Sequence, residues 1–307
     1  MASPLVVSVP DIDLARALQS LSVPVDVVVW DLAGPAPRDR IDVVVPDYLA
    51  AKSRLANVAG LATRLVQSQS IGYDGVAAHL PAGTVYANAA SVHEASTAEL
   101  AVALILASQR GLPDFVRAAD RGEWSFTFRP SLADRTVLLL GYGGVGQAIE
   151  RRLAPFEVEV IRVARHARRV EGAAVHAWTD LAALLPRADI VVVSLPLSEE
   201  TTHLVDATFL SQLRDDCLVV NVGRGPVVDT DAVLTEATPG RLRFALDVVD
   251  PEPLPPNHPL FALANVLISP HVGGATSAMA PRVIALITEQ VARLQRGEEP
   301  INVVLRT

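Results

Sequence analysis

The sequence holds one cysteine (Cys217), one lysine (Lys52) and two methionines in 307 residues, and only 5% of it is aromatic. A single cysteine excludes an intrachain disulfide and any multi-cysteine zinc or iron–sulfur site, and no metal is expected. Lysine chemistry, whether a Schiff base or a phosphate-loop lysine, is left to Lys52 alone. The other 25 of the 26 basic residues are arginine, a bias that points to GC-rich coding. No apolar run approaches the ~18 residues that span a bilayer; the longest covers residues 100–107. The N-terminus has no basic region, and Asp11 and Asp13 interrupt any leader-like stretch. A reducing cytoplasm is the expected location, with no membrane partner. The net charge of −8 opposes nucleic-acid binding, which needs basic surface. What is present is ample core material, 50% hydrophobic against 20% charged residues, in a length that suits about two domains.

Short valine-rich runs at residues 5–9, 25–30, 42–45 and 65–67 read as strands, with helical spacing at 11–21 and 48–56 between them. An apolar helix is expected over 95–110, and an irregular arm over 111–130, where Pro113, Gly122 and Trp124 fall. A second alternating series begins at Thr136, with strands expected at 136–140, 158–163, 190–194, 218–222, 244–247 and 266–269. A helix over 278–297 and an apolar tail at 301–305 close the chain. Alternating strands and helices imply parallel sheets covered on both faces.

Residues 141–146 read Gly141-Tyr142-Gly143-Gly144-Val145-Gly146, so Gly141, Gly143 and Gly146 fit G-x-G-x-x-G. The pattern is weak alone. Here it follows an unbroken apolar strand and opens a helix, the context in which it binds a dinucleotide. Gly141 allows the tight turn, Gly143 the close approach of backbone to a pyrophosphate, and Gly146 the packing of helix on sheet. An NAD site carries an acid about 20 residues on, at the end of the next strand. That strand instead ends in Ala164, then Arg165-His166-Ala167-Arg168-Arg169, and the nearest downstream acid is Glu171. Arg165, His166 and Arg168 therefore favour a 2′-phosphate, hence NADP(H) over NAD(H), against the bland reading of a solvated basic loop.

Three further segments follow strands: Asn221 to Pro226 with Arg224 between two glycines, Asp247 to Pro253 with Glu252, and Ser269 to Gly274 with His271. Ligands bind outside the carboxyl ends of strands in open α/β sheets, so Arg224, Glu252 and His271 are expected to converge near the glycine loop. Each alone reads equally as an exposed turn arginine, a capping carboxylate or a satisfied loop histidine.

Together and in this order, these segments resemble the D-isomer-specific 2-hydroxyacid dehydrogenase family over essentially the whole chain. Leu195-Pro196 with Thr201-Thr202, Pro270 to Gly274, Ser70-Ile71-Gly72-Tyr73-Asp74 and the helix from Glu94 carry the rest of the likeness. The resemblance implies two doubly wound parallel-sheet α/β domains. The larger is a Rossmann dinucleotide-binding domain at 93–275; the smaller, flavodoxin-like substrate domain takes 1–92 with 276–307. It implies reduction of a small 2-oxo acid to the D-2-hydroxy acid, with Arg224 holding the carboxylate and His271 delivering the proton. Glu252 then hydrogen-bonds the imidazole and fixes its tautomer, and Ser70, Ile71 and Gly72 complete the substrate clamp. Asp247 would meet the nicotinamide carboxamide, while Leu195, Pro196, Thr201, Val222, Gly223 and Gly273 would line the cofactor. His93 and Phe261 fall where pocket-lining residues vary. A homodimer through the arm at 111–130 is implied as well. The sequence departs from the family in lacking the acid at 164, and it ends at Thr307 without the regulatory domain of many phosphoglycerate-oxidising members. Glu252 stands where a formate-type enzyme has glutamine, and the catalytic lysine of an adenosylhomocysteine hydrolase is missing. A phosphoglycerate-type dehydrogenase without its regulatory domain, or an NAD(H)-sensing corepressor-like module, is the alternative.

Overall fold

The computed structural model describes residues 4–20 and 24–307. Contacts divide the chain into two compact units, Met1–His93 with Ser277–Thr307, and Glu94–Thr276. Strands and helices are numbered in chain order. The first unit holds β1 (Leu5–Val9), β2 (Val25–Val29), β3 (Val43–Val44), β4 (Leu65–Gln67), β5 (Val85–Ala87) and β14 (Val303–Arg306). These form one sheet in the order β14-β5-β4-β3-β1-β2, parallel except for β14, which runs antiparallel to β5 at the edge. Its helices are α1 (Ile12–Gln19) and α8 (Met279–Gln295).

Side chains alternate across a pleated strand, and the valine runs use that alternation to build two cores. Val7, Val9, Val43 and Leu65 pack with Leu14 and Leu18 of α1 and Leu286 and Ile287 of α8. On the opposite face Val44, Val66 and Tyr86 pack with Trp30, Leu55 and Val58. Asp11 starts α1, its carboxylate accepting from the N–H groups of Asp13 and Leu14 at 3.0 and 2.8 Å. The buried amide of Gln290 donates to Gln67 Oε1 at 2.7 Å and to the Ile301 carbonyl at 2.8 Å, tying α8 to β4.

The second unit is built from α2 (Glu94–Arg110), α3 (Leu112–Asp120), α4 (Gly144–Leu153), α5 (Leu181–Leu184), α6 (Ala207–Ser211) and α7 (Thr230–Ala237). Its strands are β6 (Thr136–Leu140), β7 (Glu159–Ala164), β8 (Arg168–Val170), β9 (Ala173–Ala177), β10 (Ile190–Val193), β11 (Leu218–Asn221), β12 (Arg243–Leu246) and β13 (Val266–Ile268). They form a sheet in the order β13-β12-β11-β10-β6-β7-β9-β8, parallel except for the β8–β9 hairpin at its edge. Both faces are covered: Val137, Leu139, Val192 and Val220 pack beneath α2 and α4, and Leu138, Val191, Val219 and Phe244 beneath α5 to α7. The doubly wound α/β class expected from the alternating pattern is the one observed.

Three local expectations differ. The helix expected over 48–56 is a 3-10 stretch at Lys52–Val58, whose start at Ala51 has no side-chain cap. The helix expected over 11–21 is α1, with Leu21 outside the described residues. The arm at 111–130 begins as helix α3, because Pro113 sits in the first turn, where a missing N–H costs nothing. Strands β5, β8 and β9 were not expected, being too short or too polar to show a period. Among the described residues no helix is long and apolar enough to cross a membrane.

Cys217 directly precedes β11, with 2% of its surface exposed. Burial, with Asp189 nearby, pushes its thiol up to about 12. At pH 8 only about one thiol in ten thousand is then ionised. Native protein should therefore leave Ellman's reagent unreacted, and one equivalent should react after denaturation. Rapid stoichiometric reaction of the native protein would contradict this packing.

Candidate active site

The second sheet changes direction at β6: the chain moves outward through β7 and then returns to β10 on the other side. Such a switch point opens a crevice at the carboxyl ends of the two central strands. The glycine loop leaves β6 there. Gly141 adopts φ +107°, and a Cβ on it would lie 2.9 Å from the Ser194 backbone that continues β10. A Cβ on Gly146 would stand 2.2 Å from the Gly141 carbonyl oxygen, so both positions are closed to larger residues. Ser194 Oγ adds a hydrogen bond to the same carbonyl at 2.9 Å. Gly143 differs, since a Cβ there would meet nothing within 4 Å. It also begins α4 with no side-chain cap. Open space before the uncapped, positive end of a helix fits a pyrophosphate.

Tyr142 turns its side chain into the fold. Its hydroxyl donates to Glu150 Oε2 at 2.5 Å, and Arg162 Nε donates to the same oxygen at 2.9 Å. Burial raises the phenol, and its bond to Glu150 raises it further. Burial works upward on Glu150 too, but hydrogen bonds from Arg162 and Tyr142 win and hold this carboxyl below its usual range. A depressed carboxyl stabilises the fold at pH values above the ordinary carboxylate range and loses that contribution as acid reaches its lowered value. Tyr142 can thus serve a cofactor only through its backbone.

The basic segment after β7 is partly ordered as β8. Arg165 is exposed and pairs with Glu200 from the loop after β10. Arg168 donates to the Tyr142 carbonyl at 2.7 Å, which brings it against the glycine loop, while His166 is exposed. In the loop after β10, Thr201 Oγ1 donates to the Pro196 carbonyl at 2.8 Å and accepts from Ser198 N–H at 2.7 Å. Leu195 is buried, and a Cβ on Gly223 would lie 2.7 Å from its carbonyl oxygen, so the loops after β10 and β11 abut beside Val222.

Arg224 follows β11. Asn221 shapes its turn, donating through Nδ2 to the Arg224 carbonyl and accepting from Gly223 N–H, both at 3.0 Å. Gly225 presses the turn against the next one, where a Cβ would come within 1.9 Å of the Val249 carbonyl oxygen. That next segment begins with Asp247, 3% exposed. Its Oδ1 accepts from Ser269 Oγ at 2.7 Å and Val272 N–H at 2.9 Å, and its Oδ2 from Gly273 N–H at 2.9 Å. The Asp247 carbonyl accepts from His271 N–H at 2.7 Å. So held, His271 adopts φ +53°, an uncommon conformation for a side chain of its size. Its Nδ1–H donates to Glu252 Oε1 at 2.5 Å, which leaves Nε2 for another partner. The turns that carry Arg224, Glu252 and His271 are thereby bonded or packed to one another at the ends of β11, β12 and β13.

Ser70, Ile71 and Gly72 belong to the first unit, in the loop after β4. Asn88 Nδ2 donates to the Ile71 carbonyl at 2.8 Å, and Ser68 Oγ accepts from Ser70 N–H at 3.0 Å. His93 is buried beside them, its Nε2 2.6 Å from the Gln69 carbonyl oxygen, while Phe261 of the second unit is exposed. Sequence reasoning gave Asn221, Ser194 and Glu200 no role. Asn221 lies in the segment that carries Arg224, whereas Ser194 and Glu200 carry no local signal, since their partners are distant in sequence.

The family model of the D-isomer-specific 2-hydroxyacid dehydrogenase NAD-binding domain matches residues 102–273. A glyoxylate reductase/hydroxypyruvate reductase of Mus musculus is 32% identical over 302 residues, covering 92% of each chain. A D-isomer-specific 2-hydroxyacid dehydrogenase of Xanthobacter autotrophicus, solved with NADPH and MES, superposes with a TM-score of 0.85 at 29% identity over 99% of both chains. An NADPH-dependent glyoxylate/hydroxypyruvate reductase of Sinorhizobium meliloti, solved with NADP and sulfate, gives 0.83 at 27% identity, also over 99% of both. The chain belongs to the D-isomer-specific 2-hydroxyacid dehydrogenase family, and it is an NAD(P)-dependent oxidoreductase.

Replacing Asp247 by alanine strands two backbone N–H groups and a hydroxyl. Unfolding by urea should show about 2–4 kcal/mol lost from the second unit. A loss below about 0.5 kcal/mol would mean that the His271 turn does not rest on this carboxylate.

Proposed function

We propose that the protein reduces small 2-oxo acids of the glyoxylate and hydroxypyruvate kind to D-2-hydroxy acids, with NADPH favoured over NADH. The observation that carries this reading is the His271–Glu252 pair at the strand ends that also bear Arg224. Arg224 would hold the substrate carboxylate and the 2-oxo oxygen with its planar fork of donors. His271 would deliver the proton from Nε2 to the oxygen as it gains charge. Glu252 holds the other ring nitrogen, which fixes the tautomer and aims the ring. Gly141, Gly143, Gly144, Val145 and Gly146 would cradle the pyrophosphate, and Leu195, Pro196, Thr201, Val222, Gly223 and Gly273 would border the dinucleotide. Asp247 keeps one acceptor position on Oδ2 for the carboxamide. The bound nicotinamide supplies the hydride. A dinucleotide-sensing module needs no proton-delivering pair, so the enzyme reading accounts for more of the residues.

NADPH is favoured because no carboxylate at Ala164 repels a 2′-phosphate, because Arg165 follows β7 directly and because Arg168 stands against the glycine loop. The NADP and NADPH complexes of the bacterial relatives support the same choice.

We also propose a homodimer through the arm. Trp124, Phe126 and Phe128 are 98%, 79% and 90% exposed, alongside exposed Leu112 and Val116 on α3. Apolar surface of this density marks a partner site, and a second copy of this chain is the occupant implied by the family. Sedimentation should give a dimer for the wild type and a monomer for Trp124→Ser with Phe128→Ser; a monomeric wild type contradicts the assignment.

A panel of 2-oxo acids assayed with NADPH and NADH tests the activity. Glyoxylate and hydroxypyruvate should turn over, with NADPH preferred about 10- to 100-fold. Arg224→Ala should lower kcat/KM by at least about tenfold, and His271→Asn should lower kcat by about a hundredfold or more. Both should bind NADP+ as the wild type does. Wild-type kcat/KM in Arg224→Ala would remove this arginine from the site, and a preference for NADH would overturn the cofactor choice.

A further inference from the structure

The 2′-phosphate reading needs a cation that is at liberty to bind it, and both arginines named for it are engaged. Arg168 donates to the Tyr142 carbonyl at 2.7 Å. Arg165 follows β7 directly, and its guanidinium contacts Glu200 Oε1, from the loop that leaves β10 on the other side of the switch point. The two side chains are 58% and 49% exposed, so the pair faces solvent. A carboxylate and a phosphate present the same kind of oxygen fork to a guanidinium. They cannot both occupy the same face of Arg165.

We propose that Glu200 sets the cofactor discrimination of this enzyme: its carboxylate competes with the 2′-phosphate for Arg165 and holds the NADP(H) preference below what the arginine alone would give. The proposal rests on the reading that NADP(H) is the favoured cofactor. An exposed ion pair is weak and screened by salt, so Glu200 attenuates phosphate binding without preventing it. The ribose hydroxyls of NAD(H) carry no charge with which to displace a carboxylate. Glu200 therefore acts on one cofactor and not on the other. The adjacent, exposed Glu199 supplies a control for the general field of a negative charge in this loop.

Calorimetric titration separates these effects without turnover. NADP+, NAD+, adenosine 2′,5′-bisphosphate and 5′-AMP are titrated into the wild type, Glu200→Gln, Glu199→Gln, Arg165→Ala and the Arg165→Ala/Glu200→Gln pair at low ionic strength. Glu200→Gln should tighten NADP+ and the bisphosphate by roughly three- to tenfold, and NAD+ and 5′-AMP by less than twofold. The gain should disappear in the Arg165→Ala background, fade at high salt and stay under twofold in Glu199→Gln. No gain in Glu200→Gln, an equal gain for NAD+, a gain that survives loss of Arg165, or an equal gain in Glu199→Gln would each overturn the proposal. Tighter binding of NAD+ than NADP+ by the wild type would overturn the cofactor reading instead, and it is read from a different comparison.

Discussion

One buried carboxylate organises the chemistry of the second unit. Asp247 ends β12 and accepts three hydrogen bonds through its side chain, all from the segment 269–273 that follows β13. An ionised group in this setting is tolerated only because donors surround it, and those donors are the turn it shapes. His271 inherits its uncommon backbone conformation and its exposure from that turn. Were Asp247 apolar, the two N–H groups would turn to solvent and the imidazole would lose its fixed aim at Glu252. The catalytic reading thus depends on a residue that stands behind the pair.

A second constraint is steric. Glycines at 141, 146, 223 and 225 each put backbone where a side chain would collide with a neighbouring strand end. They draw the loops after β6, β10, β11 and β12 together at the sheet's carboxyl edge. Gly143 is the exception, and its open surroundings are where a phosphate fits. The same loop order explains why Arg165 and Glu200 meet. They follow strands on either side of β6, and the switch in direction brings their loops together.

Much of this was legible in the sequence. Unbroken valine and leucine runs specify strands buried on both faces, and the glycine spacing after one of them specifies the tight turn from β6 into α4. Arg224, Glu252 and His271 were legible because each follows a strand, and parallel strands deliver such residues to one edge. What stayed hidden depends on contacts far apart in the chain. The bond from Ser194 to Gly141 and the pairing of Glu200 with Arg165 have no local signature. Tyr142 looked like a loop residue facing the cofactor, yet Glu150 and Arg162 draw it inward. The short strand β8 has only Val170 as an apolar residue, so Arg168 read as loop, although pairing with β9 places it on a strand beside the glycine turn.

Stereochemistry tests the central claim, that one strand edge holds the carboxylate clamp and the proton donor in a fixed relation to the nicotinamide. A fixed clamp and donor present a single face of the 2-oxo carbon to the hydride. Reduction of hydroxypyruvate with NADPH, followed by chiral chromatography of the glycerate, reads that face directly. D-glycerate alone is the predicted product. A mixture of the two would contradict a fixed clamp and donor, and L-glycerate alone would contradict the D-2-hydroxy acid product proposed above.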